Sequence, residues 1–311
     1  MHKLLTVILA AVPAAAQLPE FYKTVDRVAW VVGDVNRVTD AWTKTGLLKV
    51  RQRVESSTAN QRVVSGWLGD LFVDWIQPLE SGGAYGEFLK KHGDGIFAIL
   101  HRPPSVEAFD AEIERLRALG VAVLERGDVR GARYVCFDTA AQGRYVLGLI
   151  YGGETPGPAP EERRINQLAF AARDLQPISA YWEKLGFPRM AVNRAALTDL
   201  RYHGQPAEIQ QSMGWYRHGT IPYEWILPLK GRNIFEDYMN QHGEGFHHLG
   251  HPVEDMDRAV AEWETAGFRV TQSGAWGQAG QKGSGRFAYL DTEKIGGVAL
   301  ELLWNLRESK P

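Results

Sequence analysis

Residues 241–252 read QHGEGFHHLGHP and place His247, His248 and His251 within five positions. An imidazole serves as a metal ligand, as an acid–base group, or as a hydrogen-bonded structural side chain. The run reads as a strand, and successive side chains of a strand face opposite sides. His247 and His248 are therefore expected to point apart, with His247 and His251 sharing a face with Leu249. Two carboxylates raise the same question. Glu224 lies between Tyr223 and Trp225 in YEWILPL, and Glu301 lies between Leu300 and Leu302 in VALELLW. Each faces away from the apolar side of its strand. A carboxylate buried without a partner is costly, so a cation or a strong donor is expected beside it. For one such glutamate alone, a solvent-facing position on an edge strand is the other reading.

The elements that must position these groups come from a chain written twice. WIQPLESGGAYGEFLKKHGDG, from Trp75, matches WILPLKGRNIFEDYMNQHGEG, from Trp225, without gaps at an offset of 150 (225 minus 75). DRVAWVVGDVNRVTDAWTKTGL, from Asp26, matches NQLAFAARDLQPISAYWEKLGF, from Asn166. His242 is matched by His92, which makes the His-Gly-acid-Gly turn scaffold. Each half divides again into a short strand, an acidic turn, an amphipathic helix ending at glycine, and further strands. The expectation is an α+β chain of four βαβββ modules paired into two domains. These are residues 20–152 and 164–311, joined by the Gly/Pro-rich linker 153–163.

Four such modules in two pairs resemble the vicinal oxygen chelate superfamily, which includes glyoxalase I, methylmalonyl-CoA epimerase, extradiol dioxygenases and bleomycin-resistance proteins. The resemblance covers almost everything after residue 16, and residues 228–268 with 285–303 look most like its epimerase-like or glyoxalase I-like branch. It implies two cupped sheets with metal ligands on the first and last strands of the modules. Carried onto this chain, it implies Gln167, Glu224, His248 and Glu301 as ligands of one divalent ion, with zinc, nickel, cobalt, manganese and iron all open. It thereby selects His248 and leaves His247 and His251 as structural. At the matching positions the first domain has Arg27, Asp74, Ala98 and Gly148, so its metal site is expected to be lost, with Arg27 and Asp74 paired in the cation's place.

An oxygen-rich site of this kind points to Lewis-acid chemistry on a small oxygenated substrate. The reaction expected is isomerisation, epimerisation or elimination through a metal-stabilised enediolate or enolate, with Glu301 or Glu224 as ligand and base and Glu301 preferred. An extradiol-type dioxygenase is the alternative, although such an iron site calls for two histidines where Gln167 stands here. A metal-free binding or sequestering protein of the bleomycin-resistance type is the third reading, and its support is the aromatic stretch MGWYRHGTIPYEW, from Met213.

The bulk composition is that of an ordinary globular chain: 311 residues, 44% hydrophobic, 23% charged, net charge −2. No basic surface for nucleic acid is encoded. MHKLLTVILAAVPAAA, residues 1–16, has the layout of a secretory signal cut before Gln17, which implies a periplasmic or secreted protein with no membrane anchor. An exported protein meets little acyl-CoA or glutathione, so the expected partner is a small molecule, with an aromatic one suggested by the Tyr and Trp content of residues 215–225; a monomer suffices, and a homodimer is compatible. The lone Cys136, in RYVCFDT, reads as a small buried apolar residue.

Overall fold

The structure is a computed structural model that describes residues 18–45, 50–57, 60–153, 155–157, 164–194 and 196–306. The expected leader, residues 1–16, and most of the expected linker therefore lie outside the described residues. The first module comprises β1 (Arg27–Val31), α1 (Val35–Thr45), β2 (Val50–Ser57), β3 (Gln61–Leu68) and β4 (Leu71–Pro78). After α2 (Gly83–His92) come β5 (Gly95–His101), α3 (Val106–Ala118), β6 (Val123–Val129), β7 (Ala132–Phe137), a short α4 (Ala140–Gly143) and β8 (Val146–Gly152). The third module comprises β9 (Gln167–Ala171), α5 (Gln176–Lys184), β10 (Ala191–Arg194), β11 (Leu197–Tyr202), β12 (Gln205–Pro206), β13 (Gln210–Tyr216) and β14 (Tyr223–Lys230). After α6 (Ile234–His242) follow β15 (Gly245–Pro252), α7 (Met256–Thr265), β16 (Val270–Trp276), β17 (Gly285–Leu290) and β18 (Ala299–Asn305).

Each half folds into one mixed sheet. The first has the order β2-β3-β4-β1-β5-β8-β7-β6, and the second β10-β13-β14-β9-β15-β18-β17-β16-β11-β12. The modules of a domain meet where their first strands pair antiparallel, β1 with β5 and β9 with β15, while each first strand lies parallel to its own module's last. The four module-opening and module-closing strands of a domain are thus adjacent at the sheet centre, which is where residues 167, 224, 248 and 301 sit.

Local signals account for the helices. Ser105, Asn233 and Asp255 cap α3, α6 and α7 through side-chain oxygens that accept backbone N–H groups. Helices α5 and α7 are followed by Gly186 and Gly267, whose φ values of 96° and 90° favour glycine. The convex faces of both sheets and their helices share one aromatic core, in which Phe170 stacks on Trp225 at 4.6 Å and Tyr145 on Trp182 at 4.5 Å. Cys136 is buried in β7, where burial pushes its thiol far up. No helix among the described residues is long and apolar enough to cross a membrane.

The repeated turn has a visible task. His92 Nδ1 donates to the His242 carbonyl at 2.7 Å, and His242 Nδ1 donates to the His92 carbonyl at 2.9 Å. The acids that follow act alike: Asp94 accepts from Gly33 N at 2.8 Å and Glu244 from Arg173 N at 2.6 Å. The two halves therefore clasp each other about a local twofold relation.

Two features depart from the sequence expectation. The third module carries an extra hairpin, β11–β12, turned at His203 and Gly204 with φ of 48° and 78°, the positive pair that a two-residue hairpin turn favours. Strand β10 pairs with β13 at one rim of the sheet, yet β11 pairs with β16 at the other. Three residue steps, from Arg194 to Leu197, span at most about 11 Å, so the second sheet curls until its rims nearly meet. The second departure is a bulge between Phe246 and His248, which breaks the strand alternation at His247.

Candidate metal centre

Four central strands each deliver one side chain to a common point. Gln167 opens β9, Glu224 lies on β14 opposite Ala169, His248 lies on β15 opposite the same Ala169, and Glu301 lies on β18 opposite Gly250. Ligand atoms of Glu224, His248 and Glu301 all lie within 4.8 Å of one another, and these three buried residues form a group that could hold a metal ion. His248 Nε2 stands 3.3 Å from Glu301 Oε2 and 3.8 Å from Glu224 Oε2. The Gln167 amide bridges them, donating to Glu224 Oε2 at 2.5 Å and Glu301 Oε2 at 3.1 Å.

The electrostatics of this cluster call for positive charge. Neither carboxylate forms an ion pair with Lys or Arg among the described residues; His248 is the partner of both. Burial and the neighbouring Glu301 push the Glu224 carboxyl well above its usual range, against a weaker opposing pull from Arg217. Two buried carboxylates, an imidazole and an amide form a mixed oxygen and nitrogen donor set suited to a divalent ion. The residues present therefore fit such a group.

Above the cluster lies a cavity of about 610 Å³. Every second residue of the surrounding strands faces it: Gln211, Met213 and Trp215 from β13 and its sequel Arg217, Phe287 and Tyr289 from β17, and Glu301, Leu303 and Asn305 from β18. Asn193, Arg194, Ala196 and Leu197, from the rim-to-rim crossing, complete the wall. Arg217 lies over the Trp215 ring at 4.2 Å, and neither it nor Arg194 has an ion-pair partner among the described residues. The Gln211 side-chain oxygen is buried there without a hydrogen-bond partner among them. Tyr289 stands opposite Glu301 in the β17–β18 register, and burial followed by the charges of Glu301 and Glu224 holds its phenol protonated.

The structure brings all four residues named from the sequence together, and it separates their counterparts from that chemistry. In the first domain Arg27 Nη1 lies 3.0 Å from Asp74 Oδ2, Arg27 Nε lies 2.9 Å from Asp26, and Ser65 donates to Asp74. The expected Arg27–Asp74 pair is present. A Cβ at Gly148 would stand 2.8 Å from the Leu100 side chain, so the Glu301 position is closed there. Of the other histidines, His251 Nδ1 donates to the Arg164 carbonyl at 3.0 Å. His247 departs from expectation: the bulge turns its Nδ1 to within 2.9 Å of His248 Nδ1. In the aromatic stretch Trp215 and Met213 line the cavity, whereas Tyr216, Tyr223 and Trp225 are buried in the core. Sequence reasoning missed Tyr289, Gln211 and the arginines; the Phe287–Tyr289 alternation beside the strand of Glu301 was the one signal present.

A family model described as the Glyoxalase/Bleomycin resistance protein/Dioxygenase superfamily matches residues 26–137 and again residues 166–289. Among solved structures, the chain is similar to a triple variant of 4-hydroxymandelate synthase from Streptomyces coelicolor. Identity is 14%, the match covers 93% of this chain and 94% of that one, and the TM-score is 0.66. It is also similar to a xylose isomerase-like TIM barrel/4-hydroxyphenylpyruvate dioxygenase fusion protein at 14% identity, with 96% of this chain and 51% of that one covered and a TM-score of 0.55. A variant of methylmalonyl-CoA epimerase from Streptomyces coelicolor matches at 20% identity over 43% of this chain and 97% of that one, with a TM-score of 0.36. No curated protein matches. At these identities the structural likeness concerns the fold.

Proposed function

The chain belongs to the glyoxalase/bleomycin resistance protein/dioxygenase superfamily, and from that premise we propose that its second domain is a metal-dependent isomerase, epimerase or lyase working by proton transfer beside a carbonyl. The observation that carries this reading is the convergence of Glu224, His248 and Glu301, bridged by Gln167, beneath an open cavity of about 610 Å³. These four residues would hold one divalent ion, which would supply Lewis acidity to two neighbouring substrate oxygens.

The remaining steps belong to the chain's own groups. Glu301 takes and returns the proton on the carbon beside the carbonyl, acting as ligand and base. The Tyr289 phenol, opposite Glu301 across the β17–β18 pair, orients the carboxylate. Glu224, bonded to the same Gln167 amide as Glu301, is the alternative ligand and base. Trp215, Trp276 and Phe287 line the cavity beside Arg194, Arg217 and the unpartnered Gln211 oxygen. That mixture suits a small, partly planar acid with an oxygen next to the reacting carbon. The apolar leader adds the proposal of a periplasmic or secreted protein, tested by whether the mature chain isolated from cells begins at Gln17.

The decisive experiment is elemental analysis of protein purified without chelators, beside His248→Ala and Glu301→Ala variants, followed by solvent-deuterium incorporation into a panel of hydroxy- and keto-acids. About one divalent ion per chain, lost in both variants, with deuterium entering beside a carbonyl, is the expected result. Iron together with oxygen consumption would move the assignment to a dioxygenase. A wild type that takes up no divalent ion would leave a binding pocket and end the enzyme reading. In Arg217→Gln, KM for acid substrates is expected to rise about tenfold with ion content unchanged.

A further inference from the structure

We propose that His247 is a positioning residue for the metal centre: its ring holds His248 by a hydrogen bond between the two Nδ1 atoms, so that His248 Nε2 keeps its lone pair for the ion. The inference rests on the divalent-ion reading of the second domain and adds a residue that the superfamily match does not assign.

The geometry starts with the bulge. Because strand alternation is broken between Phe246 and His248, two consecutive histidines face each other, and their Nδ1 atoms stand 2.9 Å apart in a fully buried setting. Two nitrogens at that distance need one proton between them. His248 presents Nε2 to Glu224, Glu301 and Gln167. To ligate a cation through that atom, its proton must reside on Nδ1, where it is donated to His247 Nδ1. His247 then carries its own proton on Nε2, which is buried and has no hydrogen-bond partner among the described residues. An orphaned buried polar atom is a cost, and it requires a compensating role.

The repeat provides a control. At an offset of 150 residues, Phe97 and Ala98 occupy the places of His247 and His248. Two of the surrounding rings correspond, while Tyr289, at 6.2 Å from His247, is an addition of the second domain. Phe97 lies 5.0 Å from Tyr85 and 5.4 Å from Phe88, while His247 lies 4.8 Å from Phe235 and 5.0 Å from Tyr238. The same strand position is irregular in both sheets. An aromatic cage that is content with phenylalanine thus holds a histidine only in the domain that also keeps the ligand histidine. Packing alone would be served by phenylalanine in both.

The test uses His247→Phe, which copies the first domain's cage, and His247→Asn, whose amide oxygen falls near the lost Nδ1 and can still accept. Zinc affinity is measured by chelator competition on the full chain, with thermal melting of the ion-free proteins alongside. His247→Phe is expected to melt at or above the wild-type temperature while binding zinc about 10–100-fold more weakly. His247→Asn is expected to recover most of that affinity. Zinc binding by His247→Phe as tight as wild type overturns the proposal, and so does an equal loss in both variants, which would assign ring packing instead of the hydrogen bond. A wild type that binds no zinc overturns the metal reading itself, an outcome distinct from either.

Discussion

Arg27 stands in the first domain where Gln167 stands in the second, and its guanidinium reaches Asp74 as a cation would reach Glu224. Both side chains are buried, Arg27 at 3% exposure, and Arg130 stands farther off, 3.6 Å from Asp74. Removing one member of a buried pair leaves the other uncompensated, a larger loss than the pair's own worth. Arg27→Met is therefore expected to destabilise the first domain by roughly 3 kcal/mol in urea unfolding. Replacing Asp74 by Asn in the same chain should return part of that loss. A single variant as stable as wild type would mean that Arg130 and Ser65 already satisfy Asp74.

At the scale of elements, the strand–helix order and the duplication were legible from patterning and matched segments; alternation marked Glu224 and Glu301, whereas Gln167 and His248 came from the resemblance. His247 was not, because strict alternation assigned it to the far face and no local residue announces the bulge. The extra hairpin left a trace only in arithmetic: the repeats match at an offset of 140 at Asp26 and Asn166 (166 minus 26) but 150 at Trp75 and Trp225. Those ten residues are the length of β11 and β12 with their turn, residues 197–206. Leu197 of the hairpin and the crossing that leads into it wall the cavity without contributing any of the four central side chains. Excising residues 197–206 and closing the chain with a short glycine turn should leave divalent-ion content near wild type while weakening substrate binding at least tenfold. Loss of the ion in that variant would show that curling the sheet is needed to assemble the centre.

The two domains are held at the scale of the whole molecule by a joint that includes buried imidazoles. A 3-10 turn, Glu20–Lys23, inserts Tyr22 against His101 of β5, with ring centroids 4.9 Å apart, and against Phe187 at 5.5 Å. Thr220 N donates to the Lys23 carbonyl at 2.8 Å, and His218 stacks edge-on against Tyr223 beside it. Burial lowers both His101 and His218 from 6.5 to about 4. The native state thus binds fewer protons than the unfolded chain between those values. Their contribution is complete above pH 6.5 and is lost as pH falls toward 4, on the order of 3 kcal/mol for each. The urea midpoint should drop steeply across that window, and His101→Gln should flatten the drop; an unchanged slope would show the joint already open to protons. The reciprocal bonds of His92 and His242 have another meaning. Each histidine meets its own counterpart, as identical subunits do across a twofold axis. Two separate copies of a half-chain would be bound to carry the same cup twice, since every change in one appears in both. Joined in a single chain, they keep the symmetric handshake and lose that obligation, and the one cup is free to close on an ion pair while the other keeps two buried carboxylates and an imidazole.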